Sequence, residues 1–397
     1  GGTVRLATNA DLIVNSEVVT TNASIDLLAH NDVSFSNNLT DNGNVSSTGG
    51  DITITADADM TAGGAITQDD GLSINAGDGE ISIQAENDIT LANVVTTNTG
   101  ANALFIQSDA GALLDGGETD VDLIANTGAA VTTIRTATGV GTTANPLETS
   151  LVTLDLVNSN SGEIQLRETD ALTLRNIEQN GAGITDIRSI GTLTADNGAG
   201  TGNAVVSNGA GAIHLEATGA GSDVQVNDGI SSTTGNIELI ASGAGGDVNV
   251  NGDVSTTGGN VTISAANAVT TTAGDDITTT GQNDFDSGDV NITATTGAIN
   301  VAGEIVTSSN GIGNAGNIDI QADGTADITV TGDVSAIGVN DTNGGDVTVQ
   351  TANGSILITN IDVTSGADAG DIQAIASSTG ANADITLMGT LTASGTN

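Results

Sequence analysis

Apolar residues recur along this chain in short alternating runs separated by polar, Gly-rich stretches. Val4 and Leu6 are followed by Leu12 and Val14, then by Val18; Ile25 and Leu27 by Val33 and Phe35, then Leu39; Ile52 and Ile54 by Met60, then Ile66. In each set the second run starts eight residues after the first, and the third six residues later. Further on, first runs start at Ile213, Ile237, Val261, Val290, Ile318, Val347 and Ile372, a step that varies only modestly from one unit to the next. The six-residue step persists in Val224/Ile230, Val248/Val254, Ile299/Ile305, Ile328/Val334 and Ile385/Leu391. Alternation with a period of two predicts strands with one apolar face. Ala stands four residues after many first-run starts (Ala29, Ala56, Ala85, Ala217, Ala241, Ala265, Ala294, Ala322), where an interior narrowing toward a corner has room for little else. The intervening positions, such as Ser82, Gln84, His214 and Glu216, are polar and predicted to face water.

A glycine stands two residues before the first run at Gly2, Gly50, Gly79, Gly162, Gly211, Gly235, Gly259, Gly288, Gly316, Gly345 and Gly370. A recurring corner with positive φ is the expected reason. Gly79–Val95 (GEISIQAENDITLANVV) and Gly162–Glu178 (GEIQLRETDALTLRNIE) share their apolar spacing although they are far apart in the chain, so Ile164 is expected in the place that Ile81 holds.

One such unit, with three short strands, cannot bury its apolar face alone, but stacked units can. The predicted fold is all-β: a right-handed parallel β-helix (β-solenoid) of roughly 14–16 coils with three short strands per coil. Residues 1–397 read as a single continuous solenoid. The irregular stretch is 131–208, with a protruding loop expected near 139–148 (GVGTTANPLE) and four of the five arginines: Arg135, Arg167, Arg175 and Arg188.

Composition narrows the function. There are 49 Asp and Glu against 5 basic residues, no Lys and no Cys, for a formal charge of −44. Such a surface repels nucleic acid and anionic lipid, and no run suits membrane insertion. The two histidines, His30 and His214, have no partner motif and read as solvated. The nearest acidic pair, Asp275-Asp276, lacks a basic neighbour in its own or adjoining coils, and nothing in an exposed acidic ladder is expected to raise one carboxyl selectively. No enzyme activity and no required cofactor are expected. Asn283–Asp289 resembles a calcium loop only loosely.

Runs such as GGNVTISAANAVTTTAGDDI, GDVNITATTGAINVAGEI and GNIDIQADGTADITVTGDV resemble filamentous-haemagglutinin-type passengers and giant bacterial surface proteins of β-strand repeats. The resemblance implies an extracellular, cell-surface β-solenoid serving as an adhesin shaft or fibre. The expected partners are further coils of a longer chain or an end-to-end copy. The alternatives are an adhesin binding a glycan or host protein through the irregular region, or a polysaccharide-active enzyme. Alignment of the repeats also places Asp11, Asp32, Asp59 and Asp88 immediately before the second strand of the first four coils, and Asp223, Asp247, Asp327 and Asp384 later. In-register stacking would bring the first four carboxylates about 4.8 Å apart. Two readings follow: a turn former accepting a backbone N–H, or carboxylates bridged by Ca²⁺ or another divalent cation.

Overall fold

The computed structural model describes residues 2–37, 42–59, 63–117, 119–198, 200, 202–282, 285–378 and 383–396. The expected strand positions Leu39 and Met60, and Asn283 and Asp284 of the loose calcium-loop match, lie outside the described residues. The fold is an all-β parallel β-solenoid of about 14 turns with three strands per coil. It divides into two compact units, Gly1–Ile187 and Arg188–Asn397. No helix among the described residues is long and apolar enough to cross a membrane.

In the first unit, the first sheet is a parallel ladder in which Val4 pairs Ile25, Ile25 pairs Ile52, and Ile52 pairs Ile81, continuing through Leu104, Thr132 and Leu154. The second sheet runs Leu12, Val33, Ile66, Ile89 and Leu113. The third runs Val18, Val45, Ile74, Val94 and Leu123. This register corrects two expected placements. Ile66 belongs to the second sheet rather than the third, because the chain takes additional turn residues between Ile54 and Ile66, with Asp57 and Gly63 at positive φ (56° and 97°). Val45, not Leu39, starts the third strand of the second coil.

The equivalence of Ile81 and Ile164 also shifts. Ile164 joins the second-sheet ladder through the bridges Leu113–Val140 and Val140–Ile164, while Leu166 and Glu168 pair Leu147 and Thr149 in the third sheet. In these coils the second strand shrinks to a bridged residue, so the sequence repeat slips out of phase with the sheets. Within 139–148, Val140 is fully buried and Leu147 begins a strand; the exposed residues are Thr142, Thr143 and Ala144.

In the second unit all seven expected first-strand starts are register partners, from Ile213–Ile237 to Val347–Ile372. Inward residues such as Ile237, Leu239, Val261, Ile263, Val290 and Ile292 are fully buried, and Ala241, Ala265, Ala294 and Ala322 close the face at the corner.

The glycine column has a different cause from the one expected. Gly162 has a positive φ of 83°, but Gly235, Gly259, Gly288, Gly316, Gly345 and Gly370 do not. They are required because coils approach too closely there for a side chain. A Cβ on Gly259 would strike the carbonyl of Gly235, one on Gly288 that of Gly259, and so on through Gly316, Gly345 and Gly370.

Between each of these glycines and its strand stands Asn or Asp, and these side chains form a ladder of their own. The Oδ1 of Asn236 accepts the Asn260 N–H (2.9 Å), Asn260 that of Asp289 (2.8 Å), and Asp289 that of Asn317 (2.7 Å). Asn317 accepts the Asp346 N–H and Asp346 that of Asp371, both at 2.8 Å. At the same corner, the buried hydroxyls of Thr279 and Thr307 donate to the carbonyls of Gly288 and Gly316 at 2.6 Å. Polar groups left over by the turn are thereby satisfied.

Gly288→Ala should therefore cost about 1–3 kcal/mol by overpacking against the Gly259 carbonyl. Because coils contact mainly their neighbours, the loss of amide protection should concentrate in the adjacent coils. Chemical unfolding with hydrogen exchange checks both; an unchanged midpoint would contradict the close-approach explanation.

Candidate functional site

The eight aspartates of the expected acidic column do not form one stack. Asp32 and Asp88 precede second-sheet strands, but the coil between them has Ala65 at that place, since Ile66 pairs Val33 and Ile89. Asp59 is displaced by the added turn residues and lies 3.2 Å from His30. Asp11, Asp32, Asp59 and Asp88 are all exposed. Where contacts are formed, the carboxylate accepts the backbone N–H of the next coil: Asp32 from Ala65 and Asp88 from Ala112, both at 2.9 Å. Asp223 accepts from Asp247 and Asp247 from Ala268 (2.9 Å each), and Asp327 from Ser355 (2.7 Å). Asp384 instead donates its own N–H to the Ser355 hydroxyl at 3.4 Å. The acceptor role is thus shown by Asp32, Asp88, Asp223, Asp247 and Asp327, and it joins coils rather than closing a turn within one.

The basic residues also acquire cross-coil partners that their sequence neighbours do not reveal. Arg135 lies 2.9 Å from Asp155, Arg167 3.1 Å from Asp186, and Arg188 3.3 Å from Glu216. His214, expected to be solvated, bridges Glu238 at 2.8 Å and Glu216 at 3.4 Å. Parallel register explains this, since His214 stands beside Glu238 on the adjoining strand. Within the Asp275-Asp276 pair one carboxyl, Asp275, is perturbed, contrary to expectation. Burial first, then the charges of Asp253 and Asp276, push the Asp275 carboxyl up. An adjoining groove of about 320 Å³ has Asp276, Glu304 and Asp333 as its charged lining.

The most unusual chemistry is buried in the first unit. Asp115 ends the strand Leu113–Asp115 in an inward position and is the register partner of Leu91. Asp122 precedes the strand Leu123–Ala125, and Glu148 lies on Leu147–Leu151 of the following coil. Carboxylate oxygens of Asp115, Asp122 and Glu148 lie within 4.8 Å of one another. Asp122 is fully buried and accepts the Glu148 N–H at 2.9 Å. Asp115 is 7 % exposed; its Oδ1 accepts the Gly117 N–H at 2.8 Å, while its buried Oδ2 has no hydrogen-bond partner among the described residues. Glu148 Oε2 is likewise buried without one. Burial, then the Asp115 charge, push the Glu148 carboxyl up, opposed by its backbone, Arg167 and Asp122. Among the described residues, these three are the ones grouped so that they could hold a metal ion. Sequence reading passes over them, although Asp115 in the alternating Leu113-Leu114-Asp115 is legible as an inward carboxylate once the strand register is known.

Glu168, one coil further on, is an inward carboxyl of another kind. It is 2 % exposed and accepts the Leu151, Thr169 and Asp170 N–H groups (3.1, 3.0 and 3.2 Å) and the Thr149 hydroxyl (2.9 Å). Burial first, then its hydrogen bond with the Asp170 side chain, push its carboxyl up to about 9. No protein-family model matches the chain, and no curated protein or solved structure matches it.

Because the folded Glu168 holds its proton more tightly than the unfolded chain does, its contribution to stability is full below about 4.5 and is lost as pH rises through about 9. Glu168→Gln cannot ionise, so its unfolding midpoint should decline less than that of the parent chain across that window. Parallel midpoint–pH curves for the two proteins would contradict the assignment.

Proposed function

We propose that this chain is a structural, non-enzymatic segment of an extracellular bacterial surface fibre, in the manner of filamentous-haemagglutinin-type and β-strand-repeat surface proteins. The observation that carries this reading is the coil-to-coil registry of the second unit, where glycine and Asx columns repeat from coil to coil without a break between Asn236 and Asp371. Such a ladder is a template for its own continuation, because each coil presents the next with the same acceptors, donors and apolar face. The exposed apolar residues of the edge strands suit end-to-end association. Leu6 is 39 % exposed although its partner Leu27 is fully buried, and Ile385 and Leu387 are 51 % and 48 % exposed although Ile356 and Ile358 are buried. An end-to-end copy would cover them.

The adhesin reading through 131–208 draws less support, since Arg135, Arg167 and Arg188 are engaged by acidic partners. A polysaccharide-active enzyme draws its best support from the raised Asp275 carboxyl, but the charged lining of the groove beside it is carboxylate alone.

Sedimentation velocity over a wide concentration range, with electron microscopy of the same samples, tests the fibre reading. The expected outcome is concentration-dependent growth into filaments that Leu387→Asp suppresses. Particles of constant mass at every concentration, together with saturable binding on a glycan array, would favour the adhesin instead.

A further inference from the structure

We propose that Asp115, Asp122 and Glu148 form a binding site for one calcium ion that ties two successive coils of the first unit together. The three carboxylates come from the end of a second-sheet strand, the entrance to the third-sheet strand of the same coil, and the third-sheet strand of the next. Their oxygens, all within 4.8 Å of one another, are close enough to share an ion at the usual Ca–O distances of about 2.3–2.6 Å. The donors are oxygens only, which suits a hard cation rather than zinc or copper.

Burial turns this cluster into a site. Asp11, Asp32, Asp59 and Asp88 are exposed, and Asp32, Asp88, Asp223, Asp247 and Asp327 accept N–H groups of the next coil, so neither state calls for a ligand. Asp115 is different: it is more than nine-tenths buried and lies in the cluster, Oδ1 is held by the Gly117 N–H, and Oδ2 is buried with no hydrogen-bond partner among the described residues. The fold does not demand an acid at this position, since its register partner is the fully buried Leu91. Three gathered carboxylates repel one another, and withdrawing them from water is costly unless a counter-charge is present. Arg167, whose charge acts on Glu148, has its guanidinium 3.1 Å from Asp186. A divalent ion supplies the missing charge and takes the partnerless oxygens of Asp115 and Glu148. It joins residues 115, 122 and 148 across the corner where the second strand of the following coil has shrunk to the Val140 bridge.

The test is calorimetric titration of the whole chain with CaCl₂, paired with thermal unfolding in CaCl₂, in MgCl₂ and in NaCl at matched ionic strength. Matching matters because screening alone stabilises a chain of charge −44. The expected result is one saturable calcium site and a rise in midpoint greater than that given by sodium or magnesium. Asp115→Asn should weaken the titrated affinity at least tenfold, and Glu148→Gln, at the less buried ligand, should do the same if Asp115→Asn fails to fold. Asp32→Asn and Asp88→Asn, on the exposed column, should leave it unchanged. An equal gain from sodium, an equal gain from magnesium, or a calcium response that survives loss of Asp115 or Glu148 would overturn the proposal. None of these outcomes bears on the fibre reading, which is carried by the corner ladder of the second unit.

Discussion

A coil of this protein cannot satisfy its own backbone. Its strands are three to five residues long for the most part, and their N–H and C=O groups bond to the coils before and after rather than within the coil. Everything else follows from holding successive coils at strand spacing, about 4.8 Å, around a whole turn, including the corners where no strand ladder operates. At one corner the chain has removed the side chain altogether, because a Cβ on Gly259, Gly288, Gly316, Gly345 or Gly370 would strike the carbonyl of the preceding coil's glycine. Next to it, Asn or Asp extends the ladder by accepting an N–H that no strand partner serves. The buried hydroxyls of Thr279 and Thr307 then take the glycine carbonyls.

Much of the acidity is therefore structural. An Asp side chain does at a corner what an Asn does, as the alternation Asn236, Asn260, Asp289, Asn317, Asp346, Asp371 illustrates. The few basic residues find acids on adjoining coils, His214 through its register partner Glu238 and Arg135 by reaching Asp155, two residues from its own register position. Two inward carboxyl environments escape this economy. Glu168 is surrounded by donors and keeps its proton. Asp115, with Asp122 and Glu148, keeps an oxygen for which the protein supplies no hydrogen-bond donor among the described residues.

The coil and its inward face are legible in the sequence because period-two alternation and a recurring spacing both come from burial. Ile213, Ile237, Val261 and Val290 can be aligned by eye for that reason. Phase is less legible. The added turn residues around Asp57 and Gly63 move Ile66 into the second sheet, and the shrunken second strand at Val140 moves Ile164 out of the place its likeness to Ile81 implied. Both slips follow from a solenoid's tolerance of length changes at corners, to which a spacing rule is blind. The glycine column is visible in the sequence but its cause is not, since the close approach of residues in successive coils, such as Gly259 and Gly288, leaves no local signature. The same holds for the buried acidic cluster, whose members are brought together by stacking.

Residue-resolved amide exchange at the corner ladder tests this account most directly. In the parent chain the N–H groups of Asn260, Asp289, Asn317, Asp346 and Asp371 should exchange as slowly as those of the strands they precede, although they lie outside the strands. Asp289→Ala should release the Asn317 N–H selectively while Ile318 stays protected, at a cost of about 1 kcal/mol. Fast exchange at these five amides in the parent chain, or an Asn317 N–H that stays protected without the Asp289 carboxylate, would contradict the claim that side chains at the corners hold the coils in register.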